Sequence, residues 1–217
     1  MPTRPRRREP LTRDRVIDAA IALADEHGIE AVSMRRLGGA LGVEAMSLYK
    51  HVADKEAILD GMARRISARF EPPSLDDAWR TSLRRSLIAA HAVLLEHPWA
   101  SALLESGLDP GPERLAYLDA VLAVLRAAGF PMPLVAQAFM ALDAHLYGYT
   151  LQVQSFPFDA ETGPEVAAAM VEQLPADRYP NLIAMGEMVA AGPRRMPVDY
   201  EFGLNLLLDG LERLRPT

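Results

Sequence analysis

The residues whose types and spacing suit a defined chemistry lie between positions 33 and 55, in the run SMRRLGGALGVEAMSLYKHVADK. Ser33 is suited to cap a short helix, and Gly42 is able to adopt the left-handed conformation that ends one. A second short helix is predicted to begin near Glu44. Its outward positions carry Ala45, Met46, Ser47, Lys50 and His51. A helix that enters the major groove of DNA needs small or polar groups at its N-terminal outward positions, so the segment predicts contact with base edges.

Other helices must hold this segment in place. Thr12 is suited to cap a first helix that ends at Gly28, and Asp54 to cap a fourth that ends before Pro72. Apolar residues at helical spacing predict a small shared core, formed by Ile29, Val32, Leu37, Leu41 and Leu48.

The remainder of the chain alternates apolar helical patterns with proline and glycine breakers. Ser74 is suited to cap a helix that runs to His97 and carries Leu75 on its apolar stripe. Further helices are predicted from Pro112 to Gly129, from Leu134 to about Phe156, as one or two within 165–191, and over roughly 198–214. No segment shows the alternation of a half-buried strand. The predicted fold class is therefore all-α, with an N-terminal three-helix domain followed by a larger helical domain.

Composition excludes several classes of site. The 217 residues include no cysteine, which excludes disulfides, thiolate metal sites and cysteine nucleophiles. The five histidines form no HxxxH pair, and no nucleophile elbow or phosphate loop is present. No apolar run approaches the roughly 18 residues that a membrane span needs. We expect a soluble, cytoplasmic protein that is not an enzyme, needs no metal or cofactor, and does not contact membranes.

The net charge of −6 is distributed unevenly along the chain. Residues 1–70 hold 13 Arg and Lys against 10 Asp and Glu, whereas residues 71–217 hold 10 against 19. A basic end on an acidic remainder is the asymmetry expected when one end meets phosphates. The four arginines of the N-terminal arm account for the excess, and without them residues 1–70 carry a net charge of −1. We expect this arm to be disordered when free, and either to enter an adjacent minor groove or to stay solvated.

Two stretches carry a family resemblance. Residues 11–62, LTRDRVIDAAIALADEHGIEAVSMRRLGGALGVEAMSLYKHVADKEAILDGM, resemble the N-terminal DNA-binding domain of TetR-family transcriptional regulators. Residues 198–214, VDYEFGLNLLLDGLERL, resemble the last helix of the tetracycline-repressor branch. The resemblance implies a basic flexible arm (1–11), a helix-turn-helix DNA-binding domain (12–54), a connecting helix (55–71) and a helical ligand-binding and dimerisation domain (72–217).

The same resemblance implies how individual residues meet DNA. Those that would face base edges are Arg35, Ala45, Met46, Ser47 and Lys50. Those that would hold phosphates and fix the register are Ser33, Tyr49, His51 and Lys55. Arg35 is the best candidate for bidentate pairing with guanine, because its planar fork matches the O6 and N7 acceptors. Members of this branch commonly carry proline where Met46 stands, so their operator sequence does not carry over.

The last helix is apolar on several faces, which indicates burial on several sides, either within one subunit or between two. The resemblance implies sharing, with helices 134–156 and 198–214 pairing with their twofold copies in a four-helix bundle. The candidate contact residues are Phe202, Gly203, Leu206, Leu207 and Gly210. Two heads joined in this way would reach successive major grooves about 34 Å apart.

A small-molecule pocket in the C-terminal domain is also implied. The candidate lining residues are Trp79, His91, Trp99, Tyr117, Phe139 and His145, although aromatic side chains at helical spacing more often belong to a core than to a ligand site. Tetracycline-binding relatives clasp the drug and its magnesium ion with Asn and His, whereas Ser86 and Leu104 stand at two of those positions here. An apolar or aromatic effector other than tetracycline–magnesium is therefore expected.

The sequence thus predicts a homodimeric transcriptional regulator that binds double-stranded operator DNA, most simply a repressor released by an unidentified small-molecule effector. Two alternatives stay open. One is a helical small-molecule carrier or enzyme whose N-terminus only resembles a DNA-binding domain. The other is a TetR-like activator, because the sign of regulation depends on where the operator lies.

Overall fold

The computed structural model describes residues 10–106, 110–155, 162–192 and 199–216. Within these ranges the chain forms eleven α-helices and no strand, which confirms the all-α fold class. The helices are α1 Arg13–His27, α2 Met34–Leu41, α3 Ala45–Leu48, α4 Lys55–Ser67, α5 Trp79–Glu96, α6 Ala100–Glu105, α7 Gly111–Ala127, α8 Met132–Ser155, α9 Gly163–Gln173, α10 Pro180–Ala190 and α11 Tyr200–Leu214. We call α1–α3 the head, α4 the connecting helix and α5–α11 the body. The N-terminal arm lies outside the described residues, apart from its last two positions.

Side-chain caps fix where the helices of the head and the connecting helix begin. Thr12, Ser33 and Asp54 each accept the backbone N–H three residues later, over 3.2, 3.4 and 2.8 Å. Each cap satisfies one of the donors that a helix N-terminus leaves without an intrahelical partner. The predicted starts of α1, α2 and α4 are confirmed.

One apolar core runs from the head through α4 into the body. In the head its fully buried members are Val16, Ala20, Val32, Leu37 and Leu48. The connecting helix adds Ile58, Met62 and Ile66, and the body adds Leu83, Leu94, Leu125, Leu142, Leu146, Leu204 and Leu208. Because the packed faces of α4 lie against both parts, a displacement of α4 must be accommodated on both sides.

Within the body, α5, α7, α8 and α11 pack on one another around this core. The helices α9 and α10 instead pack chiefly on each other. They leave large apolar side chains exposed, at Met170, Leu182, Met185 and Met188. Among the described helices, none is both long enough and apolar enough to cross a lipid bilayer.

Helix α5 begins later than the sequence predicts. Ser74 does not cap it, because the Ser74 N–H donates to Ser82 Oγ (2.7 Å) and the Ser82 hydroxyl donates back to the Ser74 carbonyl (2.8 Å). This reciprocal pair holds residues 74–78 across the first turn of a helix that starts at Trp79. Leu75, predicted to be on the inner stripe, is 63% exposed.

Helix α3 is short and consists of a single α-helical turn from Ala45 to Leu48. The chain continues as a tight turn in which the His51 N–H donates to the Leu48 carbonyl over 2.8 Å. Leu48 is fully buried and anchors the segment to the head.

Candidate functional site

The turn between α2 and α3 depends on two glycines. Gly42 has φ +66°, in the left-handed region, and ends α2. The N–H of Val43 donates to the Gly38 carbonyl (2.9 Å) and the N–H of Gly42 to the Gly39 carbonyl (3.2 Å), the pattern of a Schellman motif. A Cβ placed on Gly38 would lie 2.9 Å from the Val43 carbonyl oxygen. Gly38, which the sequence did not single out, therefore sets how closely α3 approaches α2.

The outward surface of this motif carries exposed basic side chains. Met46 is 75% exposed and Tyr49 49%. Arg35, Lys50 and Lys55 are exposed, and within the described part of the chain none of the three takes part in an ion pair. The remaining candidates are partly buried at its edge, at Ser33, Ala45, Ser47 and His51. Of the nine predicted DNA-binding residues, eight thus lie on or next to α2 and α3, and Lys55 is the first residue of α4.

A polar junction joins the head to the body. Asp25 of α1 accepts from the indole N–H of Trp99 (2.7 Å) and lies 2.8 Å from Nδ1 of His97. Nε2 of His97 is 2.7 Å from the guanidinium of Arg69, which also pairs with Glu96 at 2.5 Å. A guanidinium only donates, so Nε2 accepts and the His97 Nδ1–H donates to Asp25. Trp99, a predicted ligand contact, is placed at this junction.

A stack of aromatic rings lies inside the body. The Tyr200 ring lies between His91 and His145, with centroids 4.0 and 4.8 Å away and nearly parallel planes. Tyr149 contacts all three rings at their edges or at a tilt. Two of the predicted ligand contacts, His91 and His145, are therefore together, but Tyr200 fills the space between them.

The tautomer of His91 follows from its partner. The Thr150 hydroxyl donates to the Leu146 carbonyl (2.6 Å), so its oxygen accepts from the Nδ1–H of His91 (2.8 Å). Burial, and next the nearby His145, lower the pKa of His91 to about 4. The ring is neutral at physiological pH, with Nε2 unprotonated.

A second buried cluster surrounds Arg114 of α7. This side chain is 9% exposed and donates from Nη1 to the Tyr147 hydroxyl over 2.5 Å. Its Nη2 lies 3.8 Å from Glu105, beyond hydrogen-bonding distance. Burial, and next Glu105, raise the pKa of Asp143 to about 6, although Arg114 opposes the shift.

Tyr117 borders this cluster. Its hydroxyl lies 3.2 Å from Ser86 Oγ, and Ser86 donates to the Glu71 carbonyl over 2.6 Å. Burial is the main cause that raises the pKa of Tyr117 to about 12. Ser86 is thus occupied in joining α5 to the segment after α4.

The other predicted ligand contacts lie elsewhere. Trp79 packs edge-on against Phe130, with centroids 5.3 Å apart, and Phe139 lies partly buried against the core. Four members of the central clusters were not predicted from the sequence, namely Arg114, Tyr147, Tyr149 and Tyr200. The HLYGYT run on α8 was a signal for two of them, whereas nothing local marks Arg114 as buried.

Some of the predicted dimerisation residues are exposed, and others pack inside their own protomer. Phe202 and Leu206 are 64% and 56% exposed, and Leu207 is partly buried against the core of its own chain. Gly210 has open space where a Cβ would stand, whereas a Cβ on Gly203 would lie 2.5 Å from the His145 ring. The small size of Gly203 is therefore required within the protomer.

Among the described residues, no group of three or more His, Asp or Glu side chains lies close enough together to hold a metal ion.

Comparison with known proteins identifies both parts of the chain. The family model described as "Bacterial regulatory proteins, tetR family" matches residues 16–62. The model described as "Tetracyclin repressor-like, C-terminal domain" matches residues 71–215. The order of the two matches is that of head and body.

Relatives match over nearly the whole chain. The transcriptional repressor DrrR1 of Streptomyces coeruleorubidus is 33% identical over 218 residues, covering 94% of this chain and 78% of the relative. The class C tetracycline repressor of Escherichia coli is 31% identical, covering 95% and 93%. A solved structure of a possible TetR family transcriptional regulator from Streptomyces coelicolor A3(2) superposes with a TM-score of 0.76 at 32% identity, covering 94% and 100%. The chain belongs to the TetR family and is a DNA-binding transcriptional regulator with a tetracycline-repressor-like C-terminal domain.

Proposed function

We propose that the protein is a cytoplasmic homodimeric repressor whose two heads hold one operator and whose body releases it when a small molecule binds. The observation that carries this proposal is the set of exposed basic side chains, Arg35 and Lys50 in the head and Lys55 at the start of α4. They lie near a turn in which Gly38 permits the close approach of α3 to α2 and Gly42 ends α2. The regulators DrrR1 and the class C tetracycline repressor, both named as repressors, support the sign of regulation.

In this proposal, one group of the exposed residues contacts base edges and another contacts phosphates. Arg35, with its planar fork exposed, pairs with a guanine, and Ala45, Met46, Ser47 and Lys50 face the neighbouring base edges. Lys55, at the N-terminus of α4, binds a phosphate together with Ser33, Tyr49 and His51. The phosphate contacts set the register in which the base contacts are made.

Dimerisation is supported by apolar surface that the protomer leaves uncovered. Phe202 and Leu206 of α11 are largely exposed, and so is Met140 of α8. A monomer gains nothing by exposing such side chains on two packed helices, whereas a twofold four-helix bundle of α8 and α11 would bury them. Gly210 leaves room for a close helix approach at the same face.

Release follows if the effector binds more tightly to a body whose heads are at the wrong separation. The connecting helix α4 is the lever, since it is buried against both head and body. The hydrogen bonds between Asp25, His97 and Arg69 couple a movement of the body to a movement of the head. A 100-fold loss of operator affinity would need about 2.7 kcal/mol of coupling.

The test begins with selection of bound fragments from the source genome, followed by titration of the selected duplex. A dimer with two heads should protect two half-sites about one helical turn apart, and its affinity should fall steeply with salt. An affinity independent of salt, or protection of a single half-site by a monomer, would contradict the proposal. A transcription assay with the operator placed over a promoter then distinguishes repression from activation.

A further inference from the structure

We propose that His97 is a positioning residue for operator recognition, and that its neutral imidazole holds the head at the angle that one spacing of half-sites requires. This inference rests on the proposed function, because it takes the protein to place two heads on one operator. It adds the residue of the body that sets the spacing, and it makes the spacing preference depend on the charge of a single ring.

His97 lies at the corner where α5 meets α6. Its backbone N–H donates to the Leu94 carbonyl (3.3 Å), and its own carbonyl accepts from the N–H of Ala100 (2.8 Å). The side chain is 9% exposed, and its ring lies beside that of Trp99, with centroids 5.7 Å apart. Because the backbone is bonded on both sides and the ring is buried, the body fixes the direction of the imidazole.

The imidazole contacts two elements that carry the head. On α1 its Nδ1–H donates to Asp25 over 2.8 Å. Beyond α4 its Nε2 accepts from Arg69 over 2.7 Å. The backbone N–H of Arg69 donates to the Ile66 carbonyl (3.0 Å), so Arg69 continues the last turn of the connecting helix. One ring of the body is therefore bonded to α1 and to the end of α4 at the same time.

The contact with Asp25 gives α1 a second point of attachment. Nearer its N-terminus, α1 is joined to α4, because Arg65 donates to Asp18 (2.7 Å) and to Asp14 (3.0 Å). Asp18 and Asp25 are seven residues apart, which is about 10 Å along a helix. A helix held at one point can tilt about it, whereas two points of attachment fix its direction. The direction of α1 sets that of α3, since both belong to the core of the head.

The contact with Arg69 requires a neutral ring. A guanidinium carries donors alone, so a proton on Nε2 would place an N–H of His97 against an N–H of Arg69 and add a second positive charge there. Asp25 faces the other ring nitrogen and keeps its hydrogen bond in either state, and Glu96 keeps Arg69 paired at 2.5 Å. Imidazoles gain a proton between about pH 8 and 5. Acidification should therefore release the end of α4 from His97 while α1 stays attached.

The experiment measures the affinity of the full chain for three duplexes at pH 7.5. They are the operator, the same operator with one base pair inserted between its half-sites, and a single half-site. One base pair separates the half-sites by about 3.4 Å more and rotates one of them by about a tenth of a turn. The wild type should prefer the unaltered operator by about tenfold or more, because two fixed heads cannot both meet half-sites at the altered separation.

Two substitutions each remove one contact and introduce no titratable group. An asparagine amide takes the place of Nδ1 and keeps the bond to Asp25, whereas a glutamine amide takes the place of Nε2 and keeps the bond to Arg69. His97→Asn and His97→Gln should each weaken operator binding about three- to tenfold, because fewer molecules hold the head at the required angle. Their preference over the inserted duplex should fall by at least the same factor. Affinity for the single half-site should change by less than about twofold, since the surface of the head is unaltered.

His27→Asn is the matched control for these substitutions. His27 is an exposed histidine at the end of α1, and its ring lies 3.7 Å from the carboxylate of Glu26 on the same helix. The same change of residue type in the head should leave the affinity for all three duplexes as in the wild type.

A pH profile distinguishes positioning from simple packing. The ratio of wild-type to His97→Asn operator affinity should shrink toward one between pH 7.5 and 5.5, because the protonated ring has lost the contact with Arg69 that asparagine lacks as well. Groups that contact the DNA are the same in both proteins, so their own pH dependence cancels in the ratio. A histidine that only fills space would give a constant ratio.

Arg69→Met repeats the test from the other partner. The Arg69 side chain is 41% exposed, so its replacement leaves the core intact, and the variant should reproduce the operator affinity of His97→Asn. Thermal midpoints show which variants are folded, and Arg69→Met decides the question if the His97 variants are not. A constant ratio, or an unchanged spacing preference in Arg69→Met, would overturn this inference and leave the proposed function intact. A wild type that binds no DNA would overturn both.

Discussion

The indole N–H of Trp99 donates to the carboxylate of Asp25 over 2.7 Å, and this contact joins the first helix of the head to the body. The same carboxylate oxygen accepts from His97, whose other ring nitrogen accepts from Arg69. Among the described residues, Asp25 is therefore the acceptor that both of these buried donors of the body use. Its position on α1 means that the body orients the head through α1 as well as through α4.

Asp25→Ala should destabilise the protein by about 1–3 kcal/mol, because the indole N–H and the His97 Nδ1–H both lose their acceptor in a partly buried place. Urea unfolding followed by circular dichroism measures the loss. Glu26→Ala is the matched control on the same helix: its side chain is 75% exposed and lies 3.7 Å from that of its neighbour His27. The control should change stability by no more than about 0.5 kcal/mol. Equal effects of the two variants would mean that the junction does not hold the head.

Two adjacent glycines of α2 should respond oppositely to alanine. Gly38→Ala brings a methyl group to 2.9 Å from the Val43 carbonyl oxygen, which belongs to the backbone and cannot rotate away. We expect a loss of about 1–3 kcal/mol and weaker operator binding, because α3 must shift relative to α2. Gly39→Ala meets nothing within 4 Å and should stabilise the helix by up to about 1 kcal/mol. A neutral Gly38→Ala would show that the α2–α3 contact is looser than described.

Lys55→Ala and Arg35→Ala separate phosphate contacts from base contacts. Lys55→Ala should lower the slope of log affinity against log salt by about one and weaken all DNA sequences alike. Arg35→Ala should cost about 1–3 kcal/mol on the operator and relax the sequence preference at one position. Arg126→Ala, an exposed cation near the C-terminus of α7, serves as the control and should change neither quantity. A salt slope altered equally by Arg126→Ala would place the DNA on a different face.

The sequence was sufficient where the determinants are local. The caps at Thr12, Ser33 and Asp54 each use a side chain three residues from the amide it binds, and Gly42 acts through its own φ angle. Each of these features depends on residues no more than one helical turn apart in the sequence. The ends of the helices in the head could therefore be predicted closely.

The body depended on partners distant in the chain, and there the sequence was insufficient. Ser74 was predicted to cap α5, but Ser82 engages it instead. Trp99 was grouped with ligand contacts, although its partner Asp25 is 74 residues away. Arg114 was passed over, because its burial beside Tyr147 depends on how α7 and α8 pack.

Phe202→Glu should convert the protein to a monomer at micromolar concentration. A charge on each copy of a side chain that is 64% exposed in the protomer would have to be buried, unpaired, in the proposed α8–α11 bundle. Sedimentation velocity measures the mass, and operator affinity should fall because one head binds alone. Leu75→Glu is the control, since Leu75 is similarly exposed, at 63%, on the segment before α5. If Phe202→Glu stays dimeric, the bundle does not use this face.

His91 and Asp143 should give the fold two opposing dependences on pH. The pKa of His91 is lowered from 6.5 to about 4, so between these values the unfolded chain binds more protons and stability falls on acidification. The pKa of Asp143 is raised from 3.8 to about 6, so over that interval the folded chain binds more protons and stability falls as pH rises. In the wild type the two slopes partly cancel.

Each single variant should reveal the other group. His91→Phe leaves Thr150 donating to the Leu146 carbonyl, and its stability relative to the wild type should increase as the pH falls from 6.5 toward 4. Asp143→Asn should lose stability more steeply than the wild type on acidification over pH 6 to 4, because only the histidine dependence is left of the pair. Urea midpoints at four pH values between 4.5 and 7.5 measure both differences. Parallel curves for the wild type and the two variants would mean that neither group titrates differently in the folded chain, and that His91 is as solvated as a free imidazole.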